Sequence, residues 1–213
     1  MTVILNSEKA IARSLEALLQ ADPTLASLAA IAGPLPQRKT PGGYAGLAGV
    51  VIAQQVSKAA ADTIFGRLQA AVTPLTGAVL LDTPDEILRA AGLSRPKIRT
   101  LRAVAEAECD GLRLDAVLRL DAEDAVDALT PIPGIGRWTA ECWLLFAAGH
   151  PDIFPARDLA LQAAAHEALG LPERPDEKTL SALAGKWSPN RSVAARLLWA
   201  WYGATRTGGG APV

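Results

Sequence analysis

Apolar residues recur at helical spacing along almost the whole chain, and Val, Ile and Thr form no alternating runs of strand length. That pattern removes sheets, barrels and sandwiches and leaves a helical fold. Ile11, Leu15, Leu18 and Leu19 share one face, with Ser7 placed to cap their helix. The spacing predicts further helices at 24–31, 44–55, 58–71, 84–90, 96–108, 123–129, 136–147, 159–169, 177–187 and 191–202. Thr83-Pro84-Asp85-Glu86 puts proline in a first turn and acids at the positive end of the helix dipole. The expectation is an all-α protein of about ten helices.

Gly33 to Gly43, with Pro34, Pro36 and Pro41, reads as a linker, and the glycine-rich tail from Thr207 to Val213 is expected to fray. Half the 213 residues are hydrophobic and a fifth are charged, which is a globular composition. The 21 basic and 22 acidic residues sum to −1, so no excess of positive charge advertises a nucleic-acid partner. Val3-Ile4-Leu5 is too short for a secretory signal. The longest uncharged stretch, Thr40 to Ser57, has an apolar heart of about half a membrane span and reads as a buried helix. Cys109 and Cys142 are too few for a disulfide framework or an iron–sulfur cluster. His150 and His166 lack metal-ligand spacing with either cysteine, and both read as structural or solvated. These features predict a soluble cytoplasmic protein without a transition metal or a membrane anchor.

The segment Leu129-Thr130-Pro131-Ile132-Pro133-Gly134-Ile135-Gly136-Arg137-Trp138-Thr139 lies between two helical patterns. Two prolines and two glycines force a tight turn. Gly134 and Gly136 let the backbone approach another molecule closely and present bare N–H groups at a helix N-terminus, which suits a phosphate. Composition alone leaves a plain helix–turn–helix connector equally open.

Pro133-Gly134-Ile135-Gly136-Arg137-Trp138-Thr139-Ala140 resembles the hairpin of the helix-hairpin-helix (HhH-GPD) DNA glycosylases, especially the 3-methyladenine DNA glycosylase II (AlkA-like) branch. Three further blocks are similar to that family in order. They are Ile52-Ala53-Gln54-Gln55-Val56-Ser57, Gly92-Leu93-Ser94-Arg95-Pro96-Lys97 and Phe154-Pro155-Ala156-Arg157-Asp158-Leu159-Ala160-Leu161. The resemblance runs from Tyr44 to Tyr202, without the extra N-terminal domain of longer relatives. It implies a central lobe over residues 44–149, a second lobe from 1–43 with 150–213, and an active-site cleft between them. It also implies that the carbonyls of Thr130, Ile132 and Gly134 hold a monovalent Na⁺ or K⁺. The N–H groups of Gly134, Gly136 and Thr139 would then grip a phosphate, positioning DNA without reading its sequence. No cofactor is required for the chemistry.

Asp158 follows Pro155-Ala156-Arg157 and precedes an apolar helix, so taken alone it is an ordinary N-cap. The resemblance gives it the catalytic role. Cleaving a glycosidic bond builds positive charge on the sugar, and a nearby carboxylate stabilises that state and takes a proton from the attacking water. Bifunctional relatives carry lysine at the position of Trp138; an indole cannot form a Schiff base, so a monofunctional hydrolase is expected. Trp138 also reads either as core or as a pocket wall that stacks on a cationic alkylated base. The resemblance favours the wall, and places Tyr44, Cys142 and Asn190 in the same base pocket. Cys142 stands where the family often has tyrosine and Asn190 where it has an aromatic, which implies a wider pocket and broader lesion tolerance. Strict preference for one methylated purine across a lesion panel would count against that hypothesis.

The target base must leave the stack, and Gln55 is the expected wedge that fills the gap. Gln54 reads as the end of its helix. Arg95, Lys97, Arg99 and Arg102 fall within eight residues that contain no acid. A solvated face explains such a run, with phosphate contact open for Arg95 and Lys97. The expected function is base-excision repair: a monomeric enzyme that flips and hydrolyses alkylated bases of the 3-methyladenine and 7-methylguanine type from double-stranded DNA. A noncatalytic DNA-binding module and a bifunctional glycosylase-lyase are the alternatives.

Overall fold

The computed structural model describes residues 4–37 and 40–206; the glycine-rich tail expected to fray lies outside the described residues. Among the described residues there are thirteen α-helices, two 3₁₀ turns, one π turn and no strand. The helices beyond the expected set are α5 (Gly77–Asp82) and α8 (Leu114–Val117), each too short to show a helical period in sequence. A second difference concerns the helix expected at 136–147. It stops at Trp143, and residues Leu144–Ala148 form a π turn.

The described residues divide into two compact units. The first takes residues 4–37 and 144–206. It contains α1 (Glu8–Ala21), α2 (Ala26–Ala32), α11 (Leu159–Ala168), α12 (Glu177–Ala184) and α13 (Arg191–Thr205). Residues Ser192 to Trp199 of α13 are buried without a break. The helix has no strong apolar stripe because α1, α2 and α11 all pack against it. Asp22 ties this core to Trp187, accepting from its Nε1 at 2.9 Å and pairing with Lys186 at 3.0 Å. The chain re-enters this unit at Leu144 rather than at residue 150, because the π turn is bound to α13. The Arg196 guanidinium donates to the Leu145 carbonyl at 3.1 Å, and Phe146 stacks on Trp199.

The second unit takes residues 40–143. Its centre is α3 (Gly43–Ala53), the apolar run of the sequence, with Leu47, Ala48 and Val50 to Ile52 all buried. Around it lie α4 (Lys58–Ala71), α7 (Arg95–Cys109) and α10 (Arg137–Trp143). Helices α5, α6 (Asp85–Ala90), α8 and α9 (Ala122–Leu129) complete the unit. Ser7 caps α1 by accepting from Ala10 N at 3.1 Å, and Ser57 caps α4 through Ala60 N at 3.3 Å. No helix among the described residues is long and apolar enough to cross a membrane.

Candidate active site

The hairpin joins α9 to α10. Ile132 and Ile135 are buried and pin the turn to its unit, while Pro133, Gly134 and Gly136 stay exposed. Ile132 N donates to Leu129 O at 3.1 Å and Ile135 N to Ile132 O at 3.0 Å, closing the turn on itself. Gly134 is required by two independent constraints. Its φ of +89° lies in the left-handed region, and a Cβ there would sit 1.9 Å from Thr100 Oγ1 on α7. The hairpin therefore lies directly against α7.

Gly134 and Gly136 donate no N–H hydrogen bond among the described residues, as a phosphate grip requires. Thr139 differs from the expectation. Its N–H donates to Gly136 O at 3.0 Å, inside the first turn of α10, and its side chain is buried. Arg137 is neutralised locally by Glu123, with bonds of 2.7 and 3.0 Å, and by buried Glu141 at 2.9 Å. Its charge goes to holding α10 on α9.

Beside the hairpin, residues Ala53 to Val56 make a turn with Gln54 at φ −55°, ψ 125° and Gln55 at φ +57°. This is type II geometry, whose third position ordinarily takes glycine. Gln55 is the one non-glycine residue with positive φ among those described, and it is exposed. Gln54 does end α3, but its side chain does more: Nε2 donates to Thr139 Oγ1 at 2.9 Å and to Gly134 O at 3.3 Å.

Three residues read as contacts to DNA or base have other employment. Lys97 donates from Nζ to Ile52 O at 2.7 Å, and burial pulls its ammonium below the usual lysine range. It closes the C-terminus of α3, leaving exposed Arg95 as the open cation of that pair. Tyr44 is buried and donates to Leu101 O at 2.8 Å; burial pushes its phenol well above the ordinary value. It is a tether between α3 and α7. Cys142 is wholly buried, whereas Trp138 is half-buried in the first turn of α10.

In the other unit, the segment leading to Asp158 is clamped to α13. Ser192 Oγ accepts from Ile153 N at 2.8 Å and donates to Ile153 O at 3.0 Å, and Asp152 binds Arg191 at 2.8 and 3.0 Å. Asn190 opens α13 and accepts from Ser14 Oγ at 2.8 Å, so its amide oxygen serves the fold. Asp158 is the N-cap of α11 and only 5% exposed. Its Oδ1 accepts from Leu161 N at 2.9 Å and from Trp199 Nε1 at 3.1 Å. Trp199 is itself fixed by Phe146, whose ring lies 5.7 Å away at 26°, and the Arg196 guanidinium covers Phe146 at 4.9 Å. Capping and catalysis are thus compatible: the cap bond is part of what orients the carboxylate. Sequence reading missed Trp199, whose signal is the crowding of eight of ten aromatic residues at or beyond Trp138. Leu159, which directly follows Asp158, is 69% exposed. Among the described residues no group of three or more His, Cys, Asp or Glu side chains could hold a metal.

Residues 48–190 match the family model described as HhH-GPD superfamily base excision DNA repair protein. The chain is 34% identical over 168 residues to DNA-3-methyladenine glycosylase 1 of Schizosaccharomyces pombe, covering 76% of this chain and 73% of that one. It is 39% identical over 160 residues to the probable bifunctional transcriptional activator/DNA repair enzyme AlkA of Mycobacterium tuberculosis. That match covers 70% of this chain and 31% of the relative. Among solved structures, the S. pombe 3-methyladenine DNA glycosylase Mag1 in complex with abasic DNA superposes with a TM-score of 0.81 at 29% identity. The superposition covers 92% of this chain and 98% of Mag1.

Proposed function

The chain belongs to the HhH-GPD superfamily of base excision DNA repair proteins, and on that premise we propose that it is a monofunctional DNA glycosylase for alkylated bases. The observation that carries this reading is the buried Asp158 carboxylate, held through one oxygen by the Leu161 N–H and the Trp199 indole. Two fixed donors orient the carboxylate before substrate arrives, so little reorganisation is needed as charge develops. When the glycosidic bond breaks, its electron pair leaves with the base and positive charge grows at the sugar C1′. Asp158 stabilises that charge, water adds to C1′, and the carboxylate receives the water's proton. An alkylated purine is already a good leaving group, which suits a site whose assigned chemistry is one carboxylate.

The hairpin supplies the grip on duplex DNA through the Gly134 and Gly136 N–H groups, and Gln55 fills the gap left by the flipped nucleotide. The carbonyls of Thr130, Ile132 and Gly134 fit a Na⁺ or K⁺ in kind. Ile132 O and Gly134 O each accept one N–H, and a carbonyl oxygen has a second lone pair. Such an ion would add positive charge beside the phosphate. Trp138 offers an indole face to a cationic base and no amine for lyase chemistry.

The deciding experiment is single-turnover release from duplexes carrying 3-methyladenine or 7-methylguanine. Asp158→Asn is expected to abolish release while keeping DNA binding; turnover near that of the unmodified protein would refute the role. Borohydride is expected to trap no covalent adduct, and a trapped enzyme–DNA species would restore the lyase alternative.

A further inference from the structure

Gln55 sits at the third position of a type II turn with a left-handed φ of +57°, where a side chain costs about 1 kcal/mol or more. The turn's own closing bond is weak, Val56 N to Ala53 O at 3.5 Å. Something else must hold this backbone. Two contacts to groups beyond the turn do so: Lys97 Nζ on Ile52 O at 2.7 Å, just before it, and the amide of Gln54, a turn residue, on Thr139. The Gln54 amide is the one that reaches the hairpin. A single nitrogen, Nε2, donates to Thr139 Oγ1 at 2.9 Å and to Gly134 O at 3.3 Å, across 85 and 80 residues of sequence. Gly134 is one of the two residues whose N–H groups the proposed function gives to the phosphate. Thr139 is buried, so its hydroxyl gives the amide a fixed anchor.

We propose that Gln54 is a positioning residue that locks the strained Gln55 turn to the DNA-gripping hairpin, so that phosphate grip and base displacement share one frame. This rests on the glycosylase reading above for what the hairpin and Gln55 do. Without the amide, the turn relaxes away from the left-handed conformation, and Gln55 no longer points where the hairpin's hold on the strand requires. The hairpin itself keeps its own turn bonds and the buried Ile132 and Ile135.

The test uses Gln54→Met, which preserves length and volume but cannot donate, in the wild-type and Gln55→Ala backgrounds. Three quantities are read: affinity for undamaged duplex, fluorescence of 2-aminopurine opposite a tetrahydrofuran abasic site, and single-turnover release of 7-methylguanine. Losing the amide donor that serves both acceptors is expected to slow release about tenfold and to reduce the fluorescence rise by a similar factor in population. Undamaged-duplex affinity should stay within about twofold, and Gln54→Met should add less than about twofold once Gln55 is alanine. Thr139→Val, which removes the acceptor, should reproduce the fluorescence loss and add nothing to Gln54→Met. Equal losses in both Gln55 backgrounds, or a matching fall in undamaged-duplex affinity, would overturn the proposal and leave Gln54 as a support of the hairpin alone. A wild-type protein that binds the abasic duplex but releases no alkylated base would overturn the glycosylase reading. The fluorescence cycle would still decide the role of Gln54.

Discussion

Trp199→Phe separates orientation of the carboxylate from stability of the fold. The substitution keeps an aromatic ring against Phe146 but removes the Nε1–H that meets Asp158 Oδ1 at 3.1 Å. A hydrogen bond to a charged group contributes about 1.5–3 kcal/mol. If that orientation is expressed fully in the transition state, release should slow about 10- to 150-fold. The smaller ring also loses buried area, so the total destabilisation is about 2.5–4 kcal/mol, or a melting temperature lower by about 5–15 °C. The control is Trp187→Phe. Trp187 is equally buried in the same unit and likewise donates Nε1 to a carboxylate, that of Asp22, at 2.9 Å. It should melt as much lower and yet release 7-methylguanine at the wild-type rate under saturating enzyme. Equal rates for the two variants, whether both normal or both slow, would refute a specific orienting role for Trp199.

The hairpin and the acid limb of stability give two further tests. Gly134→Ala combines a disfavoured positive φ with a Cβ 1.9 Å from Thr100 Oγ1, so duplex affinity should collapse and stability fall by about 2–5 kcal/mol. Adding Thr100→Ala should restore stability only in part, because 2.9 Å to the Thr100 Cβ remains; full recovery in a denaturant titration would refute this. Burial raises the Asp22 carboxyl, but the bonds from Thr24, Trp187 and Lys186 outweigh it and bring it from 3.8 to about 2. A depressed carboxylate stabilises fully above its unfolded value and loses that contribution as pH falls through the folded one. Melting temperature should therefore drop between pH 4 and 2, and Asp22→Asn should flatten that limb; an unchanged slope in the variant would contradict the assignment.

Much of this was legible because it is local. Helical period, the caps Ser7, Ser57 and Asp158, and the proline–glycine hairpin all depend on residues within a few positions of one another. The short α5 and α8 escaped because four or six residues cannot display a period, and the π turn after Trp143 because its cause lies on α13. Cys142 and Tyr44 looked like pocket walls because an apolar or aromatic side chain suits a core and a pocket equally.

The amino-acid sequence by itself determined the all-helical class and the place of the hairpin, and its resemblance to the family singled out Asp158. Tertiary structure alone decided which polar groups are spent and which remain for DNA. Tyr44 finds its partner 57 residues away, Lys97 45, Asp158 41 and Asn190 176. Each bond consumes a donor or acceptor that residue type alone leaves available. Local spacing carries no record of such pairings, because a hydrogen bond depends on where two side chains meet after the helices pack.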